Sequence, residues 1–166
     1  MATRETADFL AGVIEGFYGQ PWSLAERFEL FEWMAAWGLN TYLYALKDDL
    51  KQRAVWREPY SASEAAALGE VIRGAQQRGL RFIYALSPGL DIRYSNEGEL
   101  LCLKKRFEQM LALGCQHFAL LFDDIPDQMA AEDLKTGRSF ASAQSQVTNA
   151  LFRWTRERSP GARFLF

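Results

Sequence analysis

Four times in this chain a stretch of helical period ends at a glycine and a short apolar run follows. The runs are GLNTYLY at 38–44, GLRFIY at 79–84, GCQHFALLF at 114–122 and GARFLF at 161–166. A glycine after the last helical turn supplies the left-handed conformation that stops a helix. Short runs rich in Tyr, Phe, Leu and Ile read as strands buried on both faces. A fifth run, at 12–17, opens the series. The intervening stretches are predicted helices. Over 24–37, Leu24, Phe28, Phe31 and Ala35 form one stripe behind Ser23 as N-cap. Ser61 and Glu64 have the spacing of a capping box for a helix over 61–78. Asn96 caps 97–113, and a fourth helix covers 139–158. Strands alternating with helices imply βαβ units and a parallel sheet. No second domain, linker or low-complexity segment interrupts the pattern.

Two parallel architectures fit such an order. An open dinucleotide-type sheet calls for G-x-G-x-x-G after its first strand. Here that strand runs into EGFYGQPW at 15–22, which does not match. A TIM barrel gathers its chemistry on loops at the C-terminal ends of strands. Gly16 and Tyr18 follow the first strand here, and Lys47, Asp48 and Asp49 the second. Ser87 to Asp91 follow the third, and Asp123 and Asp124 the fourth. The expected fold is therefore α/β, the N-terminal half of a TIM (β/α)8 barrel with about four and a half βα units. Residues 1–11 read as an extension and 12–166 as the barrel domain. The final apolar run, FLF at 164–166, has no turn or cap after it, so the expectation is a fragment of a longer barrel. A half barrel completed by homo-oligomerisation is the alternative.

Composition narrows the function classes. The chain has 166 residues, 49% apolar and 14% aromatic, with a formal net charge of −2. Disorder would need low hydrophobicity and high net charge. Near-neutral, mixed charge argues against nucleic-acid binding through phosphate contacts. No apolar run reaches the roughly 20 residues of a membrane helix. The first apolar stretch, 9–14, is too short for a secretory signal core, so cytoplasmic or nuclear residence is expected. Cys102 and Cys115 sit in apolar contexts, and spaced Cys/His clusters for a metal are absent.

The strongest chemical signal is Asp123-Asp124, two carboxylates ending the most hydrophobic run. Ionised carboxylates are costly there unless used. Two close carboxylates resist ionising together, so one is expected to titrate high and act as an acid. A helix cap with a solvated loop acid, or a magnesium site, remains open on the pattern alone. Lys47-Asp48-Asp49 is either a solvated turn or a grip on a substrate hydroxyl or carboxylate. Gly16 and Gly19 flank aromatics and let backbone approach a ligand, or form a tight turn. Trp22, Trp33, Trp37, Trp56 and Trp154 read as core and interface packing. His117 reads as a satisfied structural residue and Asp91 as a loop fixer.

Four segments together resemble one family: GVIEGFYGQPW at 12–22, NTYLYALKDD at 40–49, IYALSPGLDI at 83–92 and FALLFDDI at 118–125. They are similar to glycoside hydrolase family 84, the O-GlcNAcase-type β-N-acetylglucosaminidases. Leu46 departs from the proline usual before the Lys-Asp-Asp triplet. The resemblance implies a TIM-barrel glycosidase that removes terminal β-linked N-acetylglucosamine from Ser or Thr of proteins, or from related glycosides. It implies substrate-assisted, retaining catalysis through an oxazoline, an exception to the enzyme-nucleophile rule. Asp123 would accept the acetamido N–H, and Asp124 would be general acid and then base. Gly16 backbone and Lys47 would hold sugar hydroxyls. No metal or cofactor is implied. The family's remaining sugar-binding groups lie further along the barrel, past Phe166. A catalytically incomplete glycan-binding or interaction fragment is therefore the alternative, and a magnesium-dependent barrel hydrolase a third.

Overall fold

The computed structural model describes residues 9–166; residues 1–8 of the predicted 1–11 extension lie outside them. Strand β1 (Gly12–Glu15) leads to helix α1 (Leu24–Ala36), β2 (Thr41–Tyr44), α2 (Ala62–Gln77) and β3 (Arg81–Leu86). A single 3-10 turn, Pro88–Leu90, precedes α3 (Glu97–Ala112) and β4 (His117–Leu120). Then come a short α4 (Ala131–Leu134), α5 (Phe140–Arg158) and β5 (Phe164–Leu165). The five strands are parallel and stand in sequence order, β1-β2-β3-β4-β5.

The helix starts follow local chemistry. Ser23 accepts from the Glu26 N–H, and the Ser23 N–H in turn donates to the Glu26 carboxylate at 2.6 Å. Ser61 and Glu64 repeat this capping box. Asn96 caps α3 through the Gly98 N–H, and Ser139 caps α5. Gly38, Gly79 and Gly114 stop α1, α2 and α3 with φ of 74°, 74° and 92°. The fourth glycine differs from expectation. Gly161 is not left-handed, because α5 already ends at Arg158, where Pro160 forbids a further helical turn. The α1 stripe is also displaced: Phe31 and Met34 are buried, whereas Ala35 is exposed. Met34 reaches the sheet from a position that a Leu24-Phe28-Phe31-Ala35 stripe leaves out.

The sheet has two unlike faces. One carries Tyr42, Tyr44, Phe82, Tyr84, Phe118 and Leu120, which pack with Phe31, Ile72, Phe107, Met110 and Leu151 of the helices. Phe107 stacks on Phe118 with ring centroids 4.3 Å apart. The opposite face holds a small separate cluster, Leu43, Ala45, Ile83, Ala85 and Ala119, to which no helix contributes. A doubly wound sheet needs helices on both faces and a reversal of strand order. Consecutive order with one-sided helices is the arrangement of TIM-barrel units. The central strands are buried on both faces as predicted, while β1 and β5 at the edges are only partly so. Among the tryptophans, Trp56 is fully buried, whereas Trp33 and Trp37 are exposed and stack on each other at 6.2 Å. Among the described residues no helix is long and apolar enough to cross a membrane.

Candidate active site

Strands β1 to β4 each deliver one loop to the same rim. Glu15, the last residue of β1, is fully buried and takes two 2.9 Å bonds from the Arg27 guanidinium. Tyr42 and the Trp22 N–H also donate to it. This pair bolts the start of the Gly16 loop to α1. Gly16 follows, half-buried; a Cβ there would meet Ile14 at 3.1 Å and Ala45 at 3.8 Å.

After β2, the charged triplet sends its three side chains to three places. Asp48 accepts from the Gly19 N–H at 2.9 Å, joining the first loop to the second. Asp49 accepts from Tyr44 at 2.9 Å and Tyr60 at 2.5 Å. Burial foremost, and then the Asp49 charge, hold the Tyr44 hydroxyl well above its ordinary range. Lys47 reaches over β3 to Asp123 and forms an ion pair with its carboxylate. The Lys47 side chain is 8% exposed and that of Asp123 46%. The triplet is therefore a structured junction, not a solvated turn.

Past β4, Asp123 and Asp124 sit at the loop entrance. Asp124 has φ 50°, the sole non-glycine with positive φ among the described residues. Asp is one of the few residues that tolerates this conformation. The turn brings both carboxyls round to one guanidinium, that of Arg53. Its Nη1 lies 3.6 Å from Asp123 Oδ2 and its Nη2 3.9 Å from Asp124 Oδ2. Nη2 also donates to the Asp124 carbonyl at 3.4 Å. Partial burial raises the Asp123 carboxyl, but the Lys47 bond and charge, with Arg53 behind, outweigh it and leave the group below its ordinary range. At Asp123 the cationic side chains of Lys47 and Arg53 thus set the balance against burial.

The loop after β3 completes the wall. Ser87 accepts from the Gln52 side chain at 2.9 Å. Gly89 lets this loop approach closely, since a Cβ there would stand 2.5 Å from Ile125 and 3.3 Å from Phe122. Asp91 fixes the loop by accepting from Trp56 Nε1 at 2.9 Å and from Arg57 at 2.6 Å. His117 accepts from the Arg163 N–H at 3.1 Å and has a structural part, at the opposite end of β4 from the Asp pair.

Of the four residues singled out by sequence, Lys47, Asp123 and Asp124 converge, and Gly16 lies on the same rim three strands from Asp123. Arg53 escaped sequence reasoning. Arginine is normally exposed, and nothing around position 53 marks this one as buried. A cavity of about 370 Å³ lies elsewhere, bounded by Leu24, Arg27, Tyr44, Asp49 and Tyr60, and its lining includes none of the four. Among the described residues no group of three or more His, Cys, Asp or Glu could hold a metal. Asp123, moreover, already faces two cationic side chains.

Comparison with known proteins agrees along almost the whole chain. Residues 11–166 match the family model for beta-N-acetylglucosaminidase. The rat and mouse proteins named Protein O-GlcNAcase are each 50% identical over 149 residues, 90% of this chain and 16% of theirs. A mutant of the Thermobaculum terrenum O-GlcNAc hydrolase superimposes with a TM-score of 0.85 at 38% identity. It covers 89% of this chain, which spans 32% of that one.

Proposed function

The chain belongs to the β-N-acetylglucosaminidase family, and from that premise we propose that its Asp123–Asp124 rim serves hydrolysis of terminal β-linked N-acetylglucosamine. The substrates are proteins carrying the sugar on Ser or Thr, or related glycosides. The names of the rat, mouse and Thermobaculum relatives point the same way. The observation that carries the reading is the contact of Lys47 with Asp123 beside Asp124, at the C-terminal ends of parallel strands.

A 2-acetamido oxygen is a competent internal nucleophile when its N–H is held by an anion. The charge then developing on the forming oxazolinium ring is stabilised by the same anion. Asp123, kept ionised by Lys47, suits that part. Asp124, two-thirds exposed and one residue on, suits transfer of a proton to the leaving oxygen and its later recovery from water. Two displacements at the anomeric carbon retain configuration. Lys47 and the Gly16 backbone face the same rim and would hold sugar hydroxyls.

An aryl β-N-acetylglucosaminide assayed with Asp123→Asn and Asp124→Asn, each with and without EDTA, tests this. Rates that survive EDTA and fall by about 10²–10⁴ in each variant are expected. Near-wild-type rates in either variant would refute its assigned role. Binding of N-acetylglucosamine without turnover by the 166-residue chain would favour a binding segment.

A further inference from the structure

The Arg53 side chain is 8% exposed, and its Nη1 makes no hydrogen bond. A guanidinium carries five donors, and a buried donor without an acceptor costs free energy. Such a group persists where its direction matters. This one is aimed at Asp123 Oδ2, 3.6 Å away, while Nη2 bonds the carbonyl of Asp124. That carbonyl belongs to the one non-glycine residue in the left-handed region among those described. Two successive residues of a strand point to opposite faces. Here the left-handed turn brings both carboxyls to within 4 Å of one side chain.

We propose that Arg53 is the positioning residue of the pair, holding the Asp124 turn through its carbonyl and sharing with Lys47 the task of keeping Asp123 ionised. The proposal rests on the glycosidase reading for its kinetic consequence but not for its geometry. Among the described residues the charged side chains acting on Asp123 are Lys47 and Arg53, with Asp124 next in the chain and paired to the same Arg53. Removing the Arg53 cation leaves Lys47 alone against Asp124, so Asp123 takes up its proton at higher pH. Turnover that needs ionised Asp123 then fails at higher pH on the acid side.

The test compares Arg53→Gln and Arg53→Lys in the full enzyme, using an aryl β-N-acetylglucosaminide across pH. Arg53→Gln is expected to lower kcat about tenfold to a hundredfold, keep KM within about threefold, and move the acid limb of kcat/KM up by about one unit. Arg53→Lys is expected to restore the limb but only part of kcat, because a point charge cannot fork between carboxyl and carbonyl. A purely structural arginine would lower the yield of folded protein and leave the limb in place; that result, or unchanged kcat in folded Arg53→Gln, overturns the proposal. If Arg53→Gln does not fold, Arg53→Lys decides: reduced kcat supports the proposal and wild-type kcat refutes it. Where the unmodified enzyme itself shows no turnover, the glycosidase reading fails separately. Carboxyl carbon NMR titration of Asp123 in wild type and Arg53→Gln then decides, and an unmoved midpoint refutes the role.

Discussion

Asp123 is a carboxylate whose two cations come from one loop, Lys47 and Arg53, six positions apart on the neighbouring side of β3. A depressed carboxyl adds stability above its unfolded pKa and loses it as pH falls through the folded value. Lys47→Met therefore costs folding stability at pH above about 4 and nothing well below it. Denaturant titrations of both proteins at neutral and acid pH should converge at the acid end; a constant difference would contradict the pairing. The Asp pair stood out in the sequence as two carboxylates ending an apolar run, whereas Lys47 and Gly16 were singled out by the family resemblance, the pattern alone leaving a solvated or tight turn open. Arg53 was not legible, since its burial is set by the fold around it and a single charged residue in a charged run carries no mark.

At the scale of elements, α1 is fastened to β1 by a buried ion pair. Among the described residues Arg27 is the only cation bonded to Glu15, which has no exposed surface. Breaking one partner of such a pair leaves an uncompensated buried charge, at about 3–5 kcal/mol. Arg27→Ala should show that loss in urea unfolding, with Glu15→Gln in the same background recovering part of it. No recovery would mean that lost packing, not charge, is responsible. α3 is held both by polar bonds from the buried Arg106 and from Gln109 and by apolar contact. Phe107→Ala removes the ring stacked on Phe118 and should cost about 3–5 kcal/mol in the same measurement. Helix starts were readable from Ser23, Ser61 and Asn96 because capping is local chemistry. The Met34 register and the short α4 were not, because tertiary packing selects the first. The second lies in a polar stretch without apolar period.

For the molecule as a whole, alternation of helices and strands gave the parallel sheet, and the missing phosphate-binding glycine motif favoured the barrel. Only the structure displays the one-sided placement of helices that separates the two folds. That placement leaves edge strand β1 with Ile14 at 65% exposure. Edges of this kind pair with other chains unless charged or covered. The 166-residue chain alone should therefore self-associate, and Ile14→Lys should shift it towards monomer in light scattering at matched concentration. An unchanged mass would place the contact elsewhere. Strand order also matters for synthesis. Each strand lies beside the one made just before it, so no segment has to be threaded between two already in place. A chain leaving the ribosome can add its βα units one at a time onto a growing template, N-terminal end first. On that route the β2 loop bearing Lys47 and Arg53 is already in position when the two aspartates emerge.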